Sequence, residues 1–97
     1  MNHQVNVAVQ VIPKSQRKEI YALVDDAIQV IHDSGLRYRV CPFETVIEGP
    51  YQEIMEVVEK IQEVCFKEGA DELLVFLKIQ NRKTGMVTIE DKMEKYD

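Results

Sequence analysis

The sequence is poor in the residues that catalysis most often recruits. Its 97 residues hold two cysteines, Cys41 and Cys65, and two histidines, His3 and His32. The cysteines form no CxxC or CxxH spacing, which argues against a zinc or redox centre and favours two reduced thiols. Neither histidine has a base or orienting partner nearby in the sequence, so both read as structural or incidental. There is no Gly-rich phosphate loop, no Walker motif, and no Ser/His/Asp set that spacing would bring together. No apolar run approaches the ~20 residues needed to cross a bilayer, and Met1-Asn2-His3-Gln4 has neither a basic nor an apolar leader character. A cytoplasmic chain with no membrane partner is expected. Basic residues are also scarce, at 12 against 17 acidic ones, for a net charge of −5. Nucleic-acid binding draws most of its affinity from neutralised phosphates, so that class of partner is excluded.

What is present describes an ordinary globular domain. Hydrophobic residues make up 45% of the chain and charged residues 30%, and the length fits one domain over residues 1–97. Gln4 to Ile12 alternates with Val5, Val7, Val9 and Val11 on one face, which predicts a strand that Pro13 ends. Ser15 is the expected N-cap of a helix over 16–33, whose stripe is Ile20, Leu23, Val24, Ala27, Ile28 and Ile31. Gly35 fits the left-handed position beyond that helix. A second helix is expected to start at Pro50, carry an apolar stripe of Ile54, Val57, Val58, Ile61, Val64 and Cys65, and close at Gly69. Glu72 to Gln80 reads as a strand apolar on both faces, hence central or covered on both sides. Thr88 to Tyr96, with Asp91 three residues after Thr88, resembles a short capped helix.

Between the two long helices lies a hairpin, Gly35 to Pro50, with a turn at Cys41–Glu44. It gathers the densest set of polar groups. The turn sets Arg37 opposite Glu48, Tyr38 opposite Ile47 and Val40 opposite Thr45. The order βαββαβ plus a terminal helix predicts an α+β, ferredoxin-like sandwich: a four-stranded antiparallel sheet with both main helices on one face. Leu74, Phe76, Ala8 and Ile12 would then form an apolar patch on the other face, which predicts cover by a second subunit, with the terminal helix as a helper. Acylphosphatase, metal-chaperone and RNA-recognition uses of this fold need, respectively, a Gly-rich anion loop after the first strand, a CxxC loop there and exposed aromatics on the central strands, and these are missing. Binding is the better-supported class. Glu48 could accept from a ligand amine or cation, Tyr38 could offer an aromatic wall, and Asn6 and Gln10 could bond a heterocycle. An assembly or regulatory module without a small ligand is the competing expectation.

The runs Val7-Ala8-Val9-Gln10-Val11-Ile12-Pro13, Ser34-Gly35-Leu36-Arg37-Tyr38 and Thr45-Val46-Ile47-Glu48-Gly49 resemble the thiamine-binding-protein family, the DUF77/UPF0045 group. The resemblance implies a ferredoxin-like fold, sheets paired into dimers and often tetramers, and binding of thiamine or its hydroxymethylpyrimidine moiety without catalysis. On that reading Asn6, Gln10, Tyr38, Thr45 and Glu48 are the ligand-binding candidates, with no catalytic residue, metal or cofactor expected.

Overall fold

Alternating valines with small or polar neighbours make β1 (Gln4–Lys14), because β-branched side chains suit a pleated, half-buried backbone. In the computed structural model, which describes residues 1–96, β1 is joined by β2 (Arg37–Val40), β3 (Thr45–Pro50) and β4 (Glu72–Gln80). The helices are α1 (Ile20–Asp33), α2 (Tyr51–Lys67) and α3 (Ile89–Met93). The strands form one antiparallel sheet in the order β2-β3-β1-β4, the ferredoxin-like arrangement that the element order predicts.

Register assigns the faces. Val7 lies between Ile47 and Ile79, and Val9 between Thr45 and Leu77. Those residues face the helices. Val5, Val7 and Ile47 are completely buried there with Leu23 of α1 and Ile54, Ile61 and Cys65 of α2. α1 and α2 lie against each other and over β1, β2 and β3. The other face carries Asn6, Ala8, Gln10 and Ile12 of β1, with Glu48 of β3 and Leu74 and Phe76 of β4.

Four local expectations are corrected. Pro13 does not end β1; it is buried within the strand opposite Leu73. Beyond Val9, β1 pairs with β4 and no longer with β3, so a residue without an N–H fits there. Ser15 does not cap α1, which begins at Ile20. Its hydroxyl instead donates to the Gly69 carbonyl at 2.6 Å and accepts from the Lys18 N–H at 3.0 Å, holding a turn. Pro50 is the extended N-cap of α2 rather than its first helical residue. The first amides of α2 are met from the N-terminal segment: Tyr51 N–H donates to the His3 carbonyl at 3.1 Å and Gln52 N–H to Asn2 Oδ1 at 2.9 Å. Finally, of the two alternatives for β4, central or covered on both sides, the first does not hold, because β4 is an edge strand. Gly35 (φ 76°) and Gly69 (φ 120°) take the left-handed conformations expected after α1 and α2.

Candidate ligand-binding site

The hairpin register is as the turn dictates. Cys41 N–H donates to the Glu44 carbonyl at 2.9 Å, and Arg37, Tyr38 and Val40 lie opposite Glu48, Ile47 and Thr45. Because strands alternate faces, the five candidate residues divide. Asn6, Gln10 and Glu48 point to the open face, while Tyr38 and Thr45 point to the helix side.

On the helix side, Tyr38 Oη and His32 Nδ1 are hydrogen-bonded at 2.8 Å, with the rings edge to face. This ties the start of β2 to the last turn of α1. Thr45 is buried. Together with Gln10 it borders a cavity of about 100 Å³ between α1 and the hairpin turn, where β1 has run past the start of β3. That volume suits a few waters or a small substituent rather than a whole drug-sized ligand, for which pockets run to ~300–1,000 Å³.

The open face holds the more unusual arrangement. Asn6 is 2% exposed, and neither atom of its side-chain amide has a hydrogen-bond partner among the described residues. Its strand neighbours are Glu48 on β3 and Gln80 on β4. The Glu48 side chain is 12% exposed. One oxygen, Oε1, accepts the Ile89 N–H at 2.8 Å, and Oε2 lies 3.8 Å from Arg37 Nε. Arg37 also reaches Glu90 at 3.8 Å. Arg37 and Glu48, set opposite each other by the turn, form an ion pair that extends into α3. Gln4 Nε2 donates to the Val87 carbonyl at 3.2 Å, so the chain at 87–89 crosses the open face beside Asn6.

α3 follows from its own sequence: the Thr88 hydroxyl accepts the Asp91 N–H at 3.0 Å, as the capping pattern predicts. Ile89 is buried against the sheet, whereas Tyr96 is exposed. Burial lowers the Lys92 ammonium below its ordinary value, and the nearby Glu48 carboxylate opposes that shift. Two spaces flank the helix. An apolar one of about 90 Å³ is walled by Cys41, Val46, Ile89 and Met93. An open cleft of about 580 Å³ runs between β2 and α3, with Arg37, Tyr38 and Arg39 on one side and Ile89, Glu90 and Met93 on the other. Tyr38 at the sheet edge therefore borders the same cleft as Arg37, although Thr45 does not. The terminal helix does help to cover the open face, as its capping pattern and docking edge suggest; its role as one wall of the cleft beside Arg37 and Tyr38 is what sequence reasoning missed.

The family model described as thiamine-binding protein matches residues 7–97. The chain belongs to this family. A UPF0045 protein of Clostridium perfringens is 37% identical over 91 residues, covering 94% of this chain and 95% of the relative. The solved structure of a DUF77 domain, of unknown function, from Bacillus cereus superposes with a TM-score of 0.94 at 38% identity, covering 100% of this chain and 93% of that one. A Thermotoga maritima structure, provisionally assigned to thiamine biosynthesis or salvage, superposes at 0.87 with 31% identity, covering 97% and 99%. In this member of the thiamine-binding-protein family, the Thr45–Gly49 block serves both faces at once. Thr45 and Ile47 enter the core, and Glu48 reaches the open face. At Gly49 a Cβ would come 3.1 Å from Leu36 Cδ2, so glycine lets Leu36 seat against the sheet.

Proposed function

We propose that this chain binds thiamine or a related pyrimidine vitamer reversibly in the cytoplasm, without chemical turnover. The observation that carries the reading is the unpartnered, buried Asn6 amide beside the Glu48 carboxylate. Buried polar groups are almost always hydrogen-bonded, and leaving one unmet costs about 1–3 kcal/mol. An aminopyrimidine edge offers an amine donor next to a ring-nitrogen acceptor. Asn6 supplies the complementary acceptor and donor, and Glu48 accepts from the amine or offsets a thiazolium charge. Gln10 adds a hydrogen-bonding group on the same face. Tyr38 contributes an aromatic wall through the β2–α3 cleft, and Thr45 shapes the small cavity by the hairpin turn. The family match and the thiamine-linked Thermotoga maritima relative support the choice of ligand.

The proposal includes assembly. Ile12, Leu74 and Phe76 leave an apolar patch on the open face, and a second copy laid sheet to sheet would cover it. A dimer of sheets follows, and the family resemblance favours its pairing into a tetramer. The competing reading, an assembly module with no small ligand, draws on one observation: Glu48 already has partners in Ile89 and Arg37.

A thermal-shift titration with thiamine and with hydroxymethylpyrimidine separates the readings. Ligand at a hundredfold excess over its Kd adds about 2.7 kcal/mol of apparent stability, a rise of roughly 10–20 °C for a domain of this size. Asn6→Ala and Glu48→Gln are expected to remove that response. Absence of any shift at millimolar ligand, with the protein folded, would leave the assembly module as the better account.

A further inference from the structure

Glu48 Oε1 accepts its hydrogen bond from the Ile89 N–H, a donor of the same kind as the ring amine proposed for it above. The chain seats one of its own amides where that amine would lie. Asn6 gains nothing from the arrangement. It stands opposite Glu48 in the register, 2% exposed, and the segment that crosses beside it leaves both of its amide atoms unmet. The covering segment satisfies half of a polar pair and leaves the other half without a partner.

The hold of that segment is slight. Between residues 81 and 96, Val87 and Ile89 are the buried positions. Gln4 Nε2 bonds the Val87 carbonyl, the Ile89 N–H bonds Glu48, and an exposed Arg37 reaches Glu90 at 3.8 Å. α3 itself has five residues, too few to be stable without the sheet beneath it. Elements with so few buried contacts open far more readily than the core.

We infer that residues 87–93 are an intrinsic competitor for the site, a strap that covers Asn6 and Glu48 in the free protein and is displaced when a heterocyclic amine binds. The inference rests on the ligand reading above and adds the regulation of that same site. The exchange is favoured because it is unequal. On Glu48 the ligand's amine replaces one N–H donor with another, while Asn6 acquires a donor and an acceptor that the strap denies it. Lys92 rides on the strap, and burial there pushes its ammonium below the ordinary value, so release also rehydrates a cation. The cleft of about 580 Å³ between β2 and α3 has Ile89 on its wall and opens a route to the edge of the strap.

Ile89→Pro tests the competition. Ile89 is the first residue of α3, where proline is tolerated, and Thr88 before it has the extended backbone (φ −122°, ψ 151°) that a following proline requires. The variant keeps the helix and loses the competing N–H. A strap lowers apparent affinity by the fraction of molecules in which it is open, and removing a hydrogen bond to a charged group raises that fraction about tenfold. Ile89→Pro is therefore expected to bind thiamine or hydroxymethylpyrimidine about tenfold more tightly in calorimetric titration. Ile89→Val, which keeps the N–H, should match wild type.

Met93→Cys makes the opposite change. Residue 93 and the native Cys41 wall the same apolar space of about 90 Å³, so oxidation to a disulfide fastens α3 to the hairpin. The oxidised protein should bind roughly tenfold more weakly or worse, and reductant should restore it. In wild type, saturating ligand should speed hydrogen exchange at the Ile89 amide while slowing it in β1 and β3. Slower exchange at Ile89 with ligand bound, or equal affinity in the wild-type, Ile89→Pro and oxidised Met93→Cys proteins, would overturn the inference and leave the ligand reading intact. No binding by any of the three would overturn both.

Discussion

The carboxylate of Glu48 and the backbone N–H of Ile89 meet at 2.8 Å, joining the hairpin to a helix that begins 41 residues later in the chain. With Arg37 on the other oxygen, Glu48 is the point where α3 is fastened to the sheet. A ligand that uses this carboxylate must share it with α3 or displace it. Glu48→Ala removes both options. It leaves the Ile89 N–H unmet and should cost about 1–3 kcal/mol. Hydrogen exchange at residues 88–93 should accelerate by more than the global loss of stability explains. Glu48→Gln keeps an acceptor oxygen, so α3 should stay docked while the charge is lost.

Asn6 should behave in the opposite way. Its amide is buried without partners, so an apolar replacement of similar size has little to lose. Asn6→Val is expected to leave the ligand-free protein as stable as wild type, or up to about 1–2 kcal/mol more stable, while abolishing the thiamine response. Such a trade of stability against function is common at binding sites. Chemical denaturation measures the first half and the thermal-shift titration the second. Clear destabilisation would show that Asn6 is a structural group.

The two thiols should separate cleanly. Cys65 is completely buried, its Sγ 3.7 Å from the Leu23 carbonyl, whereas Cys41 is partly exposed beside the hairpin turn. Burial, reinforced by the Asp26 carboxylate, pushes the Cys65 thiol above its ordinary value. In the unfolded chain it ionises at the ordinary value, so this group favours folding below that pH. The contribution is lost as pH rises from the ordinary value through the folded one. Stability measured between about pH 8 and 10 should therefore fall more steeply in wild type than in Cys65→Ala. Alkylation at neutral pH should modify Cys41 and spare Cys65 until the protein unfolds.

Tyr38→Phe removes the hydroxyl bonded to His32 while keeping the ring. A loss of about 0.5–1.5 kcal/mol is expected. If Tyr38 serves the ligand as an aromatic wall, affinity should hardly change. A large loss of affinity with little loss of stability would mean that the hydroxyl itself contacts the ligand.

Much of this was legible in the sequence because strand period and turn length are strict. The Cys41–Glu44 turn fixed the partners of Arg37, Tyr38 and Val40, and the valines of β1 announced the core face. The grouping of the ligand candidates was not legible as drawn, although the same period bears on it. Thr45 and Glu48 are three apart in one strand, and odd spacing sends them to opposite faces. The isolation of Asn6 depends on the crossing of 87–89, which is brought in by contacts far along the chain. Apolar residues on both faces of β4 do not say where in the sheet the strand lies. A strand buried by neighbours in its own chain and one awaiting a second chain read alike.

The position of β1 carries a consequence for how the chain folds. Lys14 meets Glu72, and Asn6 meets Gln80, so the central strand acquires its second neighbour only from the far end of the polypeptide. During synthesis β1, α1 and the hairpin can associate early, but one edge of β1 stays bare until β4 emerges. Pairings so distant in sequence slow folding and lengthen the exposure of that edge. A chain stopped before Glu72 would be left with Val5, Val7 and Val9 on an unsheltered strand, and its expected fate is aggregation rather than a smaller fold.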